Sequence, residues 1–271
     1  MQEFSVVIIT FNSKNFISPC LDSIFTQGHQ FQVVVVDNGS KDGTAGLIKK
    51  NYPQVTLIEN KDNLGACKAR NQGIDVSRGE WILCLDCDII LEKDFIEKMI
   101  AAVKNSTDSI GMVQPKILRY DKKSIYSCGI YLSAIRRFYD IGKGEFDKGQ
   151  FDKMGHIFGA CSAAALYKRD MLEEIKGQSG YFNERFFFLV EDVDLSWRAQ
   201  KKGWKTLFSP RAVCYHAGNS SGSSRKLRQY LCFRNRLLSI SKNENLIGKI
   251  GLLPVFIVYD LPRLLFLLLR C

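Results

Sequence analysis

The chain has 271 residues, 46% of them hydrophobic, which is ample for a buried core and excludes a disordered or fibrous class. Its formal net charge of +10 draws it to anionic partners: nucleic acid, an acidic membrane surface or phosphate-bearing substrates. Nine cysteines without a repeating framework argue against a disulfide scaffold and for reduced thiols in the cytosol.

The N-terminus passes directly into a β-branched run, which predicts no secretory leader. Strands are expected at "FSVVIIT" (4–10), "QVVVVD" (32–37), "VTLIEN" (55–60) and "WILCLD" (81–86). Their near-continuous apolar character is that of strands covered on both faces. Helical periodicity fills 15–27, 41–52 and 63–77, so the first hundred residues read as βαβ units around a parallel sheet. Polar groups then recur at the strand ends: Asn12 follows the first, Asp37 ends the second, Asp62 and Asn63 follow the third, and Asp86 and Asp88 close the fourth. Turn and cap chemistry explains any one of them. Placement at all four suggests a ligand site, because open α/β sheets bind ligands at the carboxyl ends of their strands. Farther on, 111–133 predicts strands or a hairpin, 159–175 a small-residue strand feeding a short helix, and 191–204 a helix. No internal repeat or long linker interrupts this pattern.

Two carboxylates beside an apolar strand cost several kcal/mol in lost hydration unless a positive partner sits with them. Residues two apart on an extended segment point the same way, so Asp86 and Asp88 can share one ligand. Hard oxygen donors suit Mg2+ or Mn2+, with water and substrate phosphates completing the shell. In "VEDVDL", Glu191, Asp192 and Asp194 open a helix, where the macrodipole favours carboxylates. On that helix Asp192, Leu195, Ser196 and Ala199 share a face and Asp194 points elsewhere. Cys84 and Cys87 have C-x-x-C spacing with no second pair, and read as small buried hydrophobes.

The ordered set "VVIITFN", "VVVVDNGSKDGT", "NLGACKARNQGI", "LDCD" and "FFFLVEDVDLSWRAQKKGW" resembles a family 2 glycosyltransferase with the GT-A fold over most of residues 4–220. "FGACSAAALYKRDML", "EDVDLSWRA" and "YHAGNSSG" further resemble bacterial rhamnosyltransferases of surface-polysaccharide assembly. The resemblance implies an α/β, Rossmann-like and mostly parallel sheet flanked by helices. Residues 1–222 would form the catalytic domain, with a nucleotide half to about 110 and an acceptor half beyond it, and 223–271 a basic, apolar helical tail. It implies that Thr10, Phe11 and Asn12 border the base, that Asp37 accepts from a pyrimidine ring nitrogen, and that Asn63, Gly65 and Arg70 complete the nucleotide pocket, Arg70 near the phosphates. Asp86 would face ribose and metal, Asp88 would bind the metal, and His216 would be a further ligand for Mg2+ or Mn2+. Asp192 would be the general base, with Glu191 orienting it or the acceptor, and Arg198 or Trp197 packing its helix. One displacement predicts inversion, with L-rhamnose from dTDP-rhamnose as the expected transfer. A UDP-hexose or UDP-N-acetylhexosamine donor, or a non-catalytic nucleotide-binding protein, is the alternative.

The tail "IGKIGLLPVFIVYDLPRLLFLLLRC" (247–271) is apolar but broken by Asp260, Pro262 and Arg263, so it lacks the roughly 20-residue run of a clean membrane span. It is expected to lie in the interface, with Lys249, Arg263 and Arg270 at the head groups. With the basic stretch at 223–236, this predicts a cytoplasmic enzyme attached peripherally to the inner face of the cell membrane, meeting a polyprenyl-diphosphate-linked saccharide acceptor. Nucleic acid is not expected, because aromatics are not interleaved with Lys and Arg on a strand face. A dinucleotide oxidoreductase should show G-x-G-x-x-G after the first strand, where this chain has "TFNSKNF".

Overall fold

The computed structural model describes residues 4–218 and 222–269, without the side chains of 267–269. The strands are β1 (Phe4–Thr10), β2 (Gln32–Asp37), β3 (Thr56–Glu59), β4 (Trp81–Asp86), β5 (Ile89–Leu91), β6 (Ile110–Arg119), β7 (Ile125–Ser127), β8 (Ile130–Leu132), β9 (Phe138–Asp140), β10 (Gly155–Ile157), β11 (Ala164–Lys168) and β12 (Lys205–His216). Among the described residues ten of them form one sheet along β10-β12-β6-β11-β4-β1-β2-β3, with β5 on β12 and β7 on β6, while β8 and β9 form a separate ribbon. The β4-β1-β2-β3 half is parallel. β11 runs antiparallel between β4 and β6, so the other half is mixed.

Seven helices, α1 (Lys14–Phe25), α2 (Thr44–Asn51), α3 (Ala66–Val76), α4 (Phe95–Lys104), α5 (Arg169–Ile175), α6 (Glu191–Lys201) and α7 (Arg225–Asn243), precede the terminal helical turns. Successive side chains of a strand point to opposite faces. Val6 and Ile8 therefore join one core with Ile17, Leu21 and Ile24 of α1, and Val7 joins a second with Ile74 of α3. Both faces are covered, which is why the sequence shows unbroken β-branched runs; each such side chain contributes about 1.5–3 kcal/mol on burial. α3 reaches the sheet closely because Gly73 has no side chain: a Cβ there would meet Val7 Cγ1 at 2.3 Å.

Cys84 and Cys87 are buried in these cores, and burial pushes both thiols up to about 12. The tail continues as short helical segments at Leu246–Gly251 and Leu253–Val255, a π-helical turn at Phe256–Asp260, and a helix at Leu261–Leu269. No helix among the described residues is long and apolar enough to cross a membrane. Arg270 lies outside the described residues.

Candidate active site

A cleft of about 510 Å3 opens at the carboxyl ends of β1, β2 and β4. Thr10, Phe11, Asn63, Gly65, Arg70, Asp86, Asp88, Asp192 and His216 all border it. Asn12 and Asp37 do not border it. Asp37 is buried, accepts from Ser40 N at 3.1 Å and has its pKa raised chiefly by that burial. Asn12, at φ +49°, accepts at Oδ1 from Lys41 N at 2.8 Å while its backbone N–H donates to Ser40 Oγ at 2.8 Å.

The acid pair and His216 meet through strand pairing. β4 ends at Asp86, and β5 leaves to pair antiparallel with the end of β12, setting His216 opposite Ile89. His216 Nε2 lies 3.1 Å from Asp88 Oδ1 and 3.9 Å from Asp86 Oδ2. Gly218 N donates to Asp88 Oδ2 at 3.0 Å, and Tyr126 meets the imidazole edge-on at 4.2 Å between ring centroids. One donor atom from each of Asp86, Asp88 and His216 lies within 4.8 Å of the others. Two carboxylates and an imidazole suit Mn2+ or Mg2+, so these three residues fit a divalent cation.

Arg70, expected near phosphates, is 3% exposed and turned to two carboxylates. It donates from Nη1 to Glu191 Oε1 and from Nη2 to Asp86 Oδ1, both at 2.7 Å. The guanidinium thereby ties the start of α6 to the end of β4; its fork matches carboxylate geometry. Asp192 is half-buried on the same helix end. Its Oδ2 accepts from Ser162 N at 3.2 Å and its Oδ1 from Val193 N at 2.9 Å. Burial raises the Asp192 pKa first, and the neighbouring Glu191 charge raises it further, opposed by the Ser162 amide and Arg70. Asp194 is fully buried on another side, paired with Arg198 and Asn243. Arg198 also donates to the carbonyls of Ile175 and Tyr181, and Trp197 is buried.

Several residues shape the site in ways the sequence did not assign to them. Asn38 holds the 60–65 loop: its Nδ2 donates to Asn63 Oδ1 and Gly65 O, and its Oδ1 accepts from Leu64 N. That loop precedes α3, which begins at Ala66 and not at the expected residue 63, because Gly65 sits at φ +87° with Phe187 so close that a Cβ would meet its ring at 2.5 Å. Phe187, Leu189 and Val190 all have positive φ between 66° and 72°, a costly conformation for such side chains. Asn235 of α7, fully buried, donates to the carbonyls of Phe186, Phe188 and Leu189 at 3.0, 2.9 and 2.7 Å and holds this loop, which leads into α6, against α7.

The sequence profile described as Glycosyl transferase family 2 matches residues 5–176. The chain belongs to glycosyl transferase family 2. It is similar to glycosyltransferase GlyA of Streptococcus pneumoniae serotype 4, 26% identical over 202 residues that cover 70% of this chain and 29% of that protein. It is similar also to the poly-β-1,6-N-acetyl-D-glucosamine synthase of Staphylococcus epidermidis, 22% identical over 219 residues, 79% of this chain and 50% of that protein. This family 2 chain therefore spans at most half the length of these curated relatives. In three dimensions it resembles residues 1–349 of S. aureus TarS (TM-score 0.60, 18% identity, 90% of this chain and 66% of that one). It likewise resembles the mannosyltransferase PcManGT of Pyrobaculum calidifontis, determined with GDP-Man and Mn2+ (TM-score 0.62, 20% identity, 95% and 70%). The fold is GT-A.

Proposed function

We propose that this family 2 chain transfers one glycosyl unit from a nucleotide-diphosphate sugar to an acceptor hydroxyl, with inversion at the anomeric carbon. The observation that carries this reading is the convergence on one cleft of Asp86, Asp88 and His216 with Asp192, bridged by Arg70. Thr10, Phe11 and Asn63 border the nucleoside, with Asn12 and Asp37 bonded to the 40–41 turn behind them. Asp86, Asp88 and His216 would hold a divalent cation, which would supply positive charge where the diphosphate departs.

Asp192 accepts the proton of the acceptor hydroxyl, whose oxygen bonds to the anomeric carbon while the carbon–oxygen bond to the diphosphate breaks on the opposite face. The amides of Ser162 and Val193 fix the carboxylate for this role, and Glu191, paired with Arg70, ties the start of α6 to that guanidinium. Residues 1–222 carry this chemistry in our reading, and 223–271 form the membrane-facing tail.

The motif resemblance favours L-rhamnose from dTDP-rhamnose. A second reading, UDP-N-acetylglucosamine as donor, is favoured by the likeness to the poly-N-acetylglucosamine synthase and to TarS, which was crystallised with UDP-GlcNAc. The proposed acceptor is a saccharide on a polyprenyl diphosphate at the cytoplasmic face of the membrane. Incubating the protein with Mn2+ and dTDP-rhamnose, UDP-glucose, UDP-galactose or UDP-N-acetylglucosamine, followed by NMR assignment of the product anomer, tests the reaction. Inverted product is expected; retention of configuration rules out a single displacement.

A further inference from the structure

Beside the donor cleft lies a second groove of about 330 Å3, lined by Ser223, Arg225, Arg228, Gln229, Cys232 and Arg263. Ser223, Arg228 and Cys232 border both cavities, so the groove continues the cleft. Neighbouring Arg236 is paired with Asp260, whereas Arg225, Arg228 and Arg263 have no carboxylate within ion-pair distance among the described residues. Three unpaired guanidinium groups on one small concavity match the charge and geometry of phosphate.

The tail, which gives Arg263 to the groove, is turned inside out. Asp260 points inward, 5% exposed, and accepts from Arg236 at 2.8 Å. Arg137 stacks on Tyr259, its guanidinium carbon 3.4 Å from the ring centroid, and fixes the same turn. Ile257, Val258 and Leu265 face outward at 60%, 76% and 52% exposure. A helix in water normally does the reverse, and an apolar surface of this kind marks an interaction site.

We propose that the groove seats the phosphate or diphosphate of an amphiphilic acceptor, with its apolar chain along the outward face of the tail and its hydroxyl-bearing end reaching Asp192. This deepens the transferase reading and rests on it. A wholly water-soluble phosphate would gain nothing from the apolar face of the tail, and an uncharged lipid nothing from the arginines; an ester that joins both uses both.

The test measures binding of farnesyl diphosphate to the full chain by calorimetry, with UDP and Mn2+ at saturation so that the donor cleft is closed to the probe. Saturable binding is expected, at least tenfold tighter than that of inorganic pyrophosphate or farnesol. The exposed double variant Arg225→Gln/Arg263→Gln is expected to lose it at least tenfold while keeping its affinity for UDP with Mn2+, since neither residue borders the donor cleft. Equal binding of farnesyl diphosphate by variant and parent overturns the proposal. So does pyrophosphate binding as tightly as the ester, which would mark a site for free phosphate. So does a variant that loses only its flotation with phosphatidylglycerol vesicles, which would mark contact with bulk lipid. Absence of both dTDP and UDP binding in both proteins, by contrast, sinks the transferase reading and leaves the groove result standing separately.

Discussion

Asp192 has to be ionised to accept a proton, yet its surroundings make ionisation costly. Burial and the Glu191 charge raise its pKa, and the Ser162 amide and Arg70 offset only part of that rise. A stronger base at the price of earlier protonation follows, which suits a general base working near neutral pH. Turnover should rise with pH through this raised pKa and be lost on acidification well above the range of about 4 where ordinary carboxylates protonate. Asp192→Asn, which keeps the shape but cannot accept the proton, should lower kcat by about 10²–10⁴-fold, the usual worth of a positioned base. The variant should still bind UDP with Mn2+, because the donor-side residues are untouched, and its residual rate should lose the acidic limb. Kinetics of both proteins from acid to neutral pH check this; an unchanged limb in the variant assigns the titration to another group.

The short loop before α6 shows how one element is held by another. Phe187, Leu189 and Val190 sit in conformations that cost about 1–3 kcal/mol each, and the side chain of Asn235 on α7 gathers three of the loop's carbonyls. Asn235→Ala removes those bonds from buried acceptors. It should lower unfolding stability by about 1–3 kcal/mol and reduce kcat with little change in UDP affinity, since the loop leads into Asp192 and not into Asp86 or Asp88. Denaturant titration and steady-state kinetics separate the two effects, and an unaltered kcat in a destabilised protein would leave Asn235 as scaffold alone. Such a loop is illegible in sequence because positive φ is signalled by glycine, and "FFFLV" contains none. β1, β2 and β4 were legible, since burial on both faces demands continuous β-branched runs. β3 is shorter than its apolar run because it is the edge strand. Asp86 and Asp88 were visible by their spacing, but their nearness to His216, 128 residues beyond Asp88, exists only through the β5–β12 pairing. Arg70 was expected near the phosphates, and its two carboxylate partners were not legible, because neither lies near it in sequence.

At the scale of the whole molecule, the charge and the exposed apolar area fall together. The net charge of +10 is locally concentrated where Arg225, Lys226 and Arg228 open α7, and the tail beside it presents Leu246, Ile247, Ile250, Ile257 and Val258 at 57% exposure or more. Neither component suffices alone: basic residues near an anionic surface contribute about 1 kcal/mol each and are screened by salt, whereas an apolar face inserts without regard to charge. The full chain should therefore float with phosphatidylglycerol vesicles at low ionic strength and do so markedly less with phosphatidylcholine. Raising the salt toward about 1 M, where the Debye length falls to about 3 Å, should bring the anionic vesicles down to the level of the neutral ones but not to zero. The remainder measures the tail, and Ile257→Asp/Val258→Asp, two exposed positions that line neither cavity, should abolish it while leaving UDP binding intact. If the protein stays in the soluble fraction with anionic vesicles at low salt, the basic helix and the outward apolar face have some occupant other than a lipid surface.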